Sequence, residues 1–108
     1  MTGLSMADLT GFQRDVLVAT RHAQASNGAP NGQAIIPILE ANGYENIQSG
    51  RFYPTLDDLV RLGLLEKRQN PEDKRANHYE ITEQGEELLE ARRQFLDRSS
   101  TTVQEGSA

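Results

Sequence analysis

A mainly α fold with one small β-hairpin is what this sequence predicts, and three observations carry the prediction. Apolar residues recur at helical spacing in four stretches, each opened by a capping residue or closed by a glycine. Between the third and fourth stretches, two short runs (64–68, LLEKR; 78–81, HYEI) flank a polar connection, QNPEDKRAN, as a hairpin with a solvated tip requires. That tip is basic and the last stretch is capped. Helices, then a basic hairpin, then a capped helix is the order of a winged helix-turn-helix, a module that places one helix in a DNA groove.

The elements follow in order. Thr10 is placed to cap a first helix over residues 11–24, with Phe12, Val16, Leu17, Thr20 and Ala23 near helical spacing. ASNGAP (25–30) reads as a loop. Asn31 caps a second helix with Ala34, Ile35, Ile38 and Leu39 inward, and Gly43 stops it. Pro37 removes one backbone hydrogen bond there and predicts a kink. The third helix spans 48–62, with Phe52, Leu56, Leu59 and Val60 on one face and Gly63 at its end. Pro54 disfavours helix at Tyr53, so the regular helix begins either near Gln48 or only at Pro54. After the hairpin, Thr82 caps a fourth helix with Glu83, Glu86 and Glu87 early and Arg92, Arg93 and Arg98 late, an order that complements the helix dipole. Leu88, Leu89, Phe95 and Leu96 form its apolar stripe. The expected organisation is a flexible tail at 1–9, a winged helix-turn-helix domain at 10–82, a helix at 83–98 and a flexible tail at 99–108. There is no internal repeat.

Bulk properties narrow the function. A chain of 108 residues fits one domain with a small core. With 36% hydrophobic residues and a mean hydropathy of −0.63, either much of the surface is polar or a second subunit completes the core. The absence of cysteine excludes disulfides, thiolate catalysis, cysteine zinc sites and thiol redox sensing. The apolar runs are too short to span a bilayer, and MTGLSMADLT lacks the layout of a secretory signal, so a soluble cytoplasmic protein is expected.

Charge is the unusual property. The net charge is −5, whereas a DNA binder is ordinarily basic. The distribution softens the conflict: residues 46–81 carry six basic and six acidic groups, against a net −2 before them and −3 after them. Lys67 and Lys74 are the only lysines, and nine arginines supply the other positive charges. Few lysines on an acid-rich surface resembles proteins of salt-loving archaea. In molar salt the Debye length falls to about 3 Å, which screens surface repulsion and makes acidity tolerable.

The N-terminal end of the third helix is the candidate recognition element. Arg51 suits a bidentate contact with guanine O6 and N7. Gln48 and Ser49 suit an adenine edge or a phosphate, Gly50 permits close approach, and the Tyr53 hydroxyl suits a phosphate or packs at the core rim. On the wing, Lys67 and Arg68 lie on one strand and Lys74 and Arg75 at the tip, where arginine favours narrow A·T-rich minor groove. Asp73 is placed to hold the Arg75 guanidinium. The alternative for each is a solvated charge. Enzyme chemistry has little support: His22 and His78 are far apart, no recognised catalytic motif occurs, and Asp57 and Asp58 diverge by about 100° on a helix. No catalytic or metal site is expected, and His78 is expected to pack beside the wing.

At these residues a family resemblance appears. GRFYPTLDDLVRLGLL (50–65) resembles the recognition-helix motif of PadR-like transcriptional regulators, with Tyr53, Pro54, Leu56, Leu59, Gly63 and Leu64 in the matching places. YEITEQGEEL (79–88) is similar to that family's wing exit through Tyr79, Ile81, Thr82 and Gly85. Asp73, Lys74 and Arg75 resemble the wing tip of MarR-type regulators, and LTGFQRDVL (9–17) resembles the first helix of haloarchaeal members, a branch that includes a regulator of the response to reactive oxygen species. The resemblance covers residues 9–98. It implies a homodimeric regulator, most simply a repressor, on a roughly palindromic double-stranded DNA operator. It also makes 83–98 a C-terminal dimerisation helix, with Leu88, Leu89, Arg92, Phe95 and Leu96 at the interface. No cofactor is implied, although bound cations at the DNA interface would reconcile acidity with phosphate. Only one helix follows the wing, which departs from members with longer C-terminal domains. A winged-helix protein-docking module is the competing reading, which the net charge of −5 suits.

Overall fold

The computed structural model describes residues 4–70, 72, 73 and 76–106. Among the described residues, four helices and one hairpin follow in the order α1 (Gly11–Asn27), α2 (Gly32–Ala41), α3 (Ser49–Arg61), β1 (Leu65–Arg68), β2 (His78–Ile81) and α4 (Glu83–Gly106), with a 3-10 turn at Met6–Asp8 ahead of them. The strands are antiparallel, with Leu65 opposite Ile81 and Arg68 opposite His78.

The capping residues act as their chemistry dictates. The Thr10 hydroxyl accepts from the Gln13 amide at 3.1 Å and the Gln13 side chain accepts from the Thr10 amide at 2.9 Å, closing a capping box. Asn31 Oδ1 accepts from the Ala34 amide at 3.0 Å. The Thr82 hydroxyl accepts from the Gly85 amide at 3.0 Å and donates to the Gly63 carbonyl at 2.6 Å, tying the start of α4 to the end of α3. α1 runs three residues past the expected Gln24, because Ala25 and Ser26 tolerate helix and the first residue able to leave it cheaply is Gly28, at φ +76°. α3 begins at Ser49, so Pro54 lies inside it. Phe52 is fully buried one turn before Leu56, and that burial outweighs the local bias of the residue before proline.

The core joins Phe12, Val16 and Leu17 of α1 to Ile35 and Leu39 of α2, Phe52, Leu56 and Leu59 of α3, then Leu64, Leu65, Tyr79 and Leu88. The hairpin is attached at a third point. Asn31 bridges His78, and the Tyr79 amide donates to the Pro30 carbonyl at 2.8 Å, so the chain entering α2 adds a short third rung to the wing. Gln24 Oε1 accepts from the Ile81 amide at 2.9 Å, locking the wing to α1. Among the described residues, no buried side-chain nitrogen or oxygen lacks a partner, and no helix is long and apolar enough to cross a membrane.

Three sequence expectations are corrected here. Residues before Thr10 are not wholly a tail: Met6 and Leu9 are buried in the core, and the Arg14 guanidinium donates to the Met6 carbonyl at 2.9 Å. The cause is an apolar rhythm (Leu4, Met6, Leu9) fixed by the Asp8 carboxylate, which accepts from the Ser5 amide at 2.7 Å. Leu88 is only 8% exposed and belongs to this core, so it offers no free surface to a partner. α4 continues to Gly106 instead of ending near Arg98, since no glycine or proline lies between Gly85 in its first turn and Gly106.

Candidate nucleic-acid interface

The N-terminal end of α3 stands in solvent. Gln48, Ser49, Gly50 and Arg51 are all exposed, and Gln48 occupies the capping position without a side-chain hydrogen bond to the helix. Gly50, Pro54, Asp57 and Arg61 follow at spacings of four, three and four, forming one ridge directed away from the buried Phe52, Leu56 and Leu59.

The structure separates two residues that the sequence reading grouped. Arg51 and Tyr53 are two positions apart and therefore project about 200° apart around the helix. The Arg51 guanidinium lies over the Phe12 ring, 3.9 Å from its centroid, on the side of α3 facing α1. Phe12 meets Tyr44 edge-on at 5.3 Å, and the Tyr44 hydroxyl donates to Asp15 at 2.6 Å. That hydrogen bond, with burial and the Asp15 charge, raises the Tyr44 pKa, and the Arg51 charge opposes the rise. Tyr53 instead faces α2 and the wing. Its hydroxyl lies where a Cβ on Gly32 would come within 2.6 Å, so only glycine fits at the start of α2. Tyr53 also meets Phe52 edge-on at 5.0 Å. Tyr53 is half-buried, with its hydroxyl at the rim beside the α2 N-terminus.

The described wing cations, Lys67 and Arg68, have acidic partners. Lys67 Nζ lies 3.3 Å from Asp57 Oδ1, and Arg68 pairs with Glu80 across the hairpin at 2.7 Å. The alternation of β1 explains the difference. Leu65 and Lys67 point toward Ile81 and Tyr79 on the inner face, while Glu66 and Arg68 point outward opposite Glu80 and His78. On α3, Arg61 pairs with Asp58. Asp57 and Asp58 thus diverge to separate partners, as their helical spacing dictates. Tyr79 lies between the two elements. Burial first, then the Asp57 charge and Tyr53, push its pKa up to about 12, so it stays a neutral phenol at physiological pH. Lys74 and Arg75 lie outside the described residues.

On α4, Leu89 is partly buried against the core, whereas Phe95 and Leu96 are 54% and 52% exposed. Arg92 sits over the Phe95 ring at 5.8 Å. Val18 of α1, 47% exposed, joins Leu89 and Leu96 in one open groove, with Arg21 paired to Glu86 at its edge. Sequence reasoning missed Val18, although Val16, Leu17 and Val18 are consecutive and one helix face cannot bury all three. It also assigned Asp57 no contact; its position one turn after Tyr53 was the available signal. His78 opens β2 beside the wing bridge, as expected. Among the described residues, no group of three or more His, Cys, Asp or Glu side chains is arranged to hold a metal.

A helix with an exposed N-terminal end, braced by the preceding helix and followed by a hairpin wing, defines the winged-helix class of regulator. Residues 11–91 match the transcriptional regulator PadR-like family, and the chain belongs to that family. Solved structures agree. RosR of H. salinarum, from a crystal grown from NaBr, is 33% identical over 93% of this chain and 94% of that one, with a TM-score of 0.65. RosR-S1, described as a complex structure, is also 33% identical, over 94% of each chain, with a TM-score of 0.67. A MarR mutant from E. coli, complexed with operator DNA, is 27% identical over 82% of this chain and 56% of that one, with a TM-score of 0.63. No curated protein matches the chain.

Proposed function

We propose that this transcriptional regulator is a cytoplasmic, non-enzymatic, sequence-specific DNA-binding protein that acts as a homodimer, most simply as a repressor, on a pseudo-palindromic operator. The observation that carries the reading is the placement of an exposed α3 N-terminal end beside a wing bearing Lys67 and Arg68, in a chain of the PadR-like family. Gln48, Ser49 and Gly50 meet the major groove. Arg51 joins them by swinging off Phe12, and Tyr53 addresses a phosphate beside the α2 N-terminus. Lys67, Arg68, Lys74 and Arg75 meet the backbone or minor groove. Leu96 and Val18, sharing a groove with Leu89 and Arg92, and the exposed Phe95 on the adjoining flank of α4 suit a two-fold interface that places half-sites about one helical turn apart. Bound cations between the acidic surface and phosphate let a chain of net charge −5 approach DNA.

Docking to another protein is the second reading, favoured by the carboxylate pairing of Lys67 and Arg68. Fluorescence anisotropy separates the two, using mixed-sequence duplex and genomic promoter fragments in about 0.2 M and about 2 M KCl. Selective binding that survives high salt is expected. Affinity only at low salt, without selectivity, or none at either salt, would shift the assignment to protein docking. A steep fall in affinity with salt would remove the bound cations from the reading.

A further inference from the structure

We propose that Asp57 is a positioning residue for DNA contact: it stores the Lys67 ammonium against α3 and yields it to a phosphate when DNA arrives. The inference rests on the DNA-binding reading above and adds to it a residue and a thermodynamic signature.

Asp57 lies on the exposed ridge of α3 with Gly50, Pro54 and Arg61, on the flank that faces the wing. Its carboxylate is 3.3 Å from Lys67 Nζ, and the two side chains are 47% and 27% exposed. Lys67 projects from the inner face of β1 opposite Tyr79, so its stem is confined and its ammonium emerges between α3 and the wing. A phosphate docking there meets a cation already matched to a carboxylate. Half-exposed pairs of this kind contribute little net stability, so the ammonium can change partners. Its three donors allow the exchange to pass through a bridged state without a bare charge.

The exchange has a measurable consequence. A lysine with no acidic partner neutralises a phosphate and releases about 0.9 of a condensed cation. A lysine taken from Asp57 releases the same cation but leaves a carboxylate that recruits one from solution. The two terms oppose each other, and the contact becomes nearly independent of salt. Arg68 is likewise paired with a carboxylate, Glu80 on the neighbouring strand.

The test measures affinity for a fluorescein-labelled mixed-sequence duplex from about 0.2 to about 2 M KCl, for wild type, Asp57→Asn, Lys67→Met, the double variant, and Glu40→Gln. Glu40→Gln makes the same charge change at the far end of α2. D57N is expected to bind several-fold tighter at the low-salt end and to steepen the log–log salt slope by up to about one. Glu40→Gln should shift affinity slightly and leave the slope unchanged. In the Lys67→Met background, D57N should lose its effect on slope. A D57N line that runs parallel to wild type, or lies below it, overturns the exchange while leaving DNA binding intact. A wild-type chain without affinity for the duplex at any salt overturns the DNA-binding reading, and the exchange with it.

Discussion

Replacing Gly85 with alanine separates local helix propensity from tertiary packing, because the two predict opposite signs. Gly85 is the third residue of α4. In an exposed helix, Gly→Ala stabilises by about 1 kcal/mol. Here a Cβ would lie 2.5 Å from the Leu64 carbonyl oxygen and 2.7 Å from Ile81 Cγ1. Neither neighbour moves freely. The Leu64 carbonyl accepts from the Thr82 amide at 3.0 Å, and Ile81 is held in β2. Overpacking of this kind costs about 1–3 kcal/mol, and stretching the Thr82 bond adds about 1 kcal/mol. Set against the propensity gain, Gly85→Ala should lose about 1–3 kcal/mol. Urea titration followed by circular dichroism reads this as a lower midpoint at unchanged m-value. A midpoint equal to or above wild type would refute the claim that α4 is seated this tightly on the end of α3.

Three further outcomes are expected. Leu96→Asp should leave the fold intact and weaken the proposed homodimer. Burying the exposed half of this leucine is worth about 1 kcal/mol per copy, so about 2 kcal/mol per dimer, roughly a 30-fold rise in dissociation constant by sedimentation. An unchanged association state would place the interface elsewhere. Thr82→Val removes the hydroxyl that caps α4 and donates to Gly63 at 2.6 Å, and should cost about 1–2 kcal/mol in thermal unfolding, against no loss if the cap is solvent-replaced. The Tyr79 pKa is raised from 10.0 to about 12, so the stability tied to its neutral form is complete below pH 10 and is lost as pH rises through 12. Tyr79→Phe should flatten that alkaline fall, and equal slopes for both chains would contradict it.

Much of the fold was legible because its signals are local. Thr10, Asn31 and Thr82 cap helices through bonds to residues three positions away, and such bonds are set by side-chain reach along the chain. The β2 strand needed only its own composition and the polar stretch before it. The candidate site was less legible. Gln48, Ser49 and Gly50 stand exposed at the end of α3 as their position implies. Arg51 and Tyr53, read as neighbours, face opposite ways. Helical geometry alone would have parted them, but only the packing of Phe12 and Gly32 shows where each one goes.

The sequence by itself determined the order of elements and their caps, because each depends on periodicity and short-range hydrogen bonding, and its motifs carried the family resemblance. The tertiary structure decided which half of the α4 stripe is core and which is surface. Leu88 is buried, whereas Leu96, two turns on, is half-exposed and meets α1 only across an open groove beside Val18. It also decided the partner of each cation. Lys67 meets Asp57 from ten residues away, and Arg21 meets Glu86 from sixty-five residues away. Charge pairing acts through space over a few ångströms, and no local pattern in a chain records which distant segments folding brings that close.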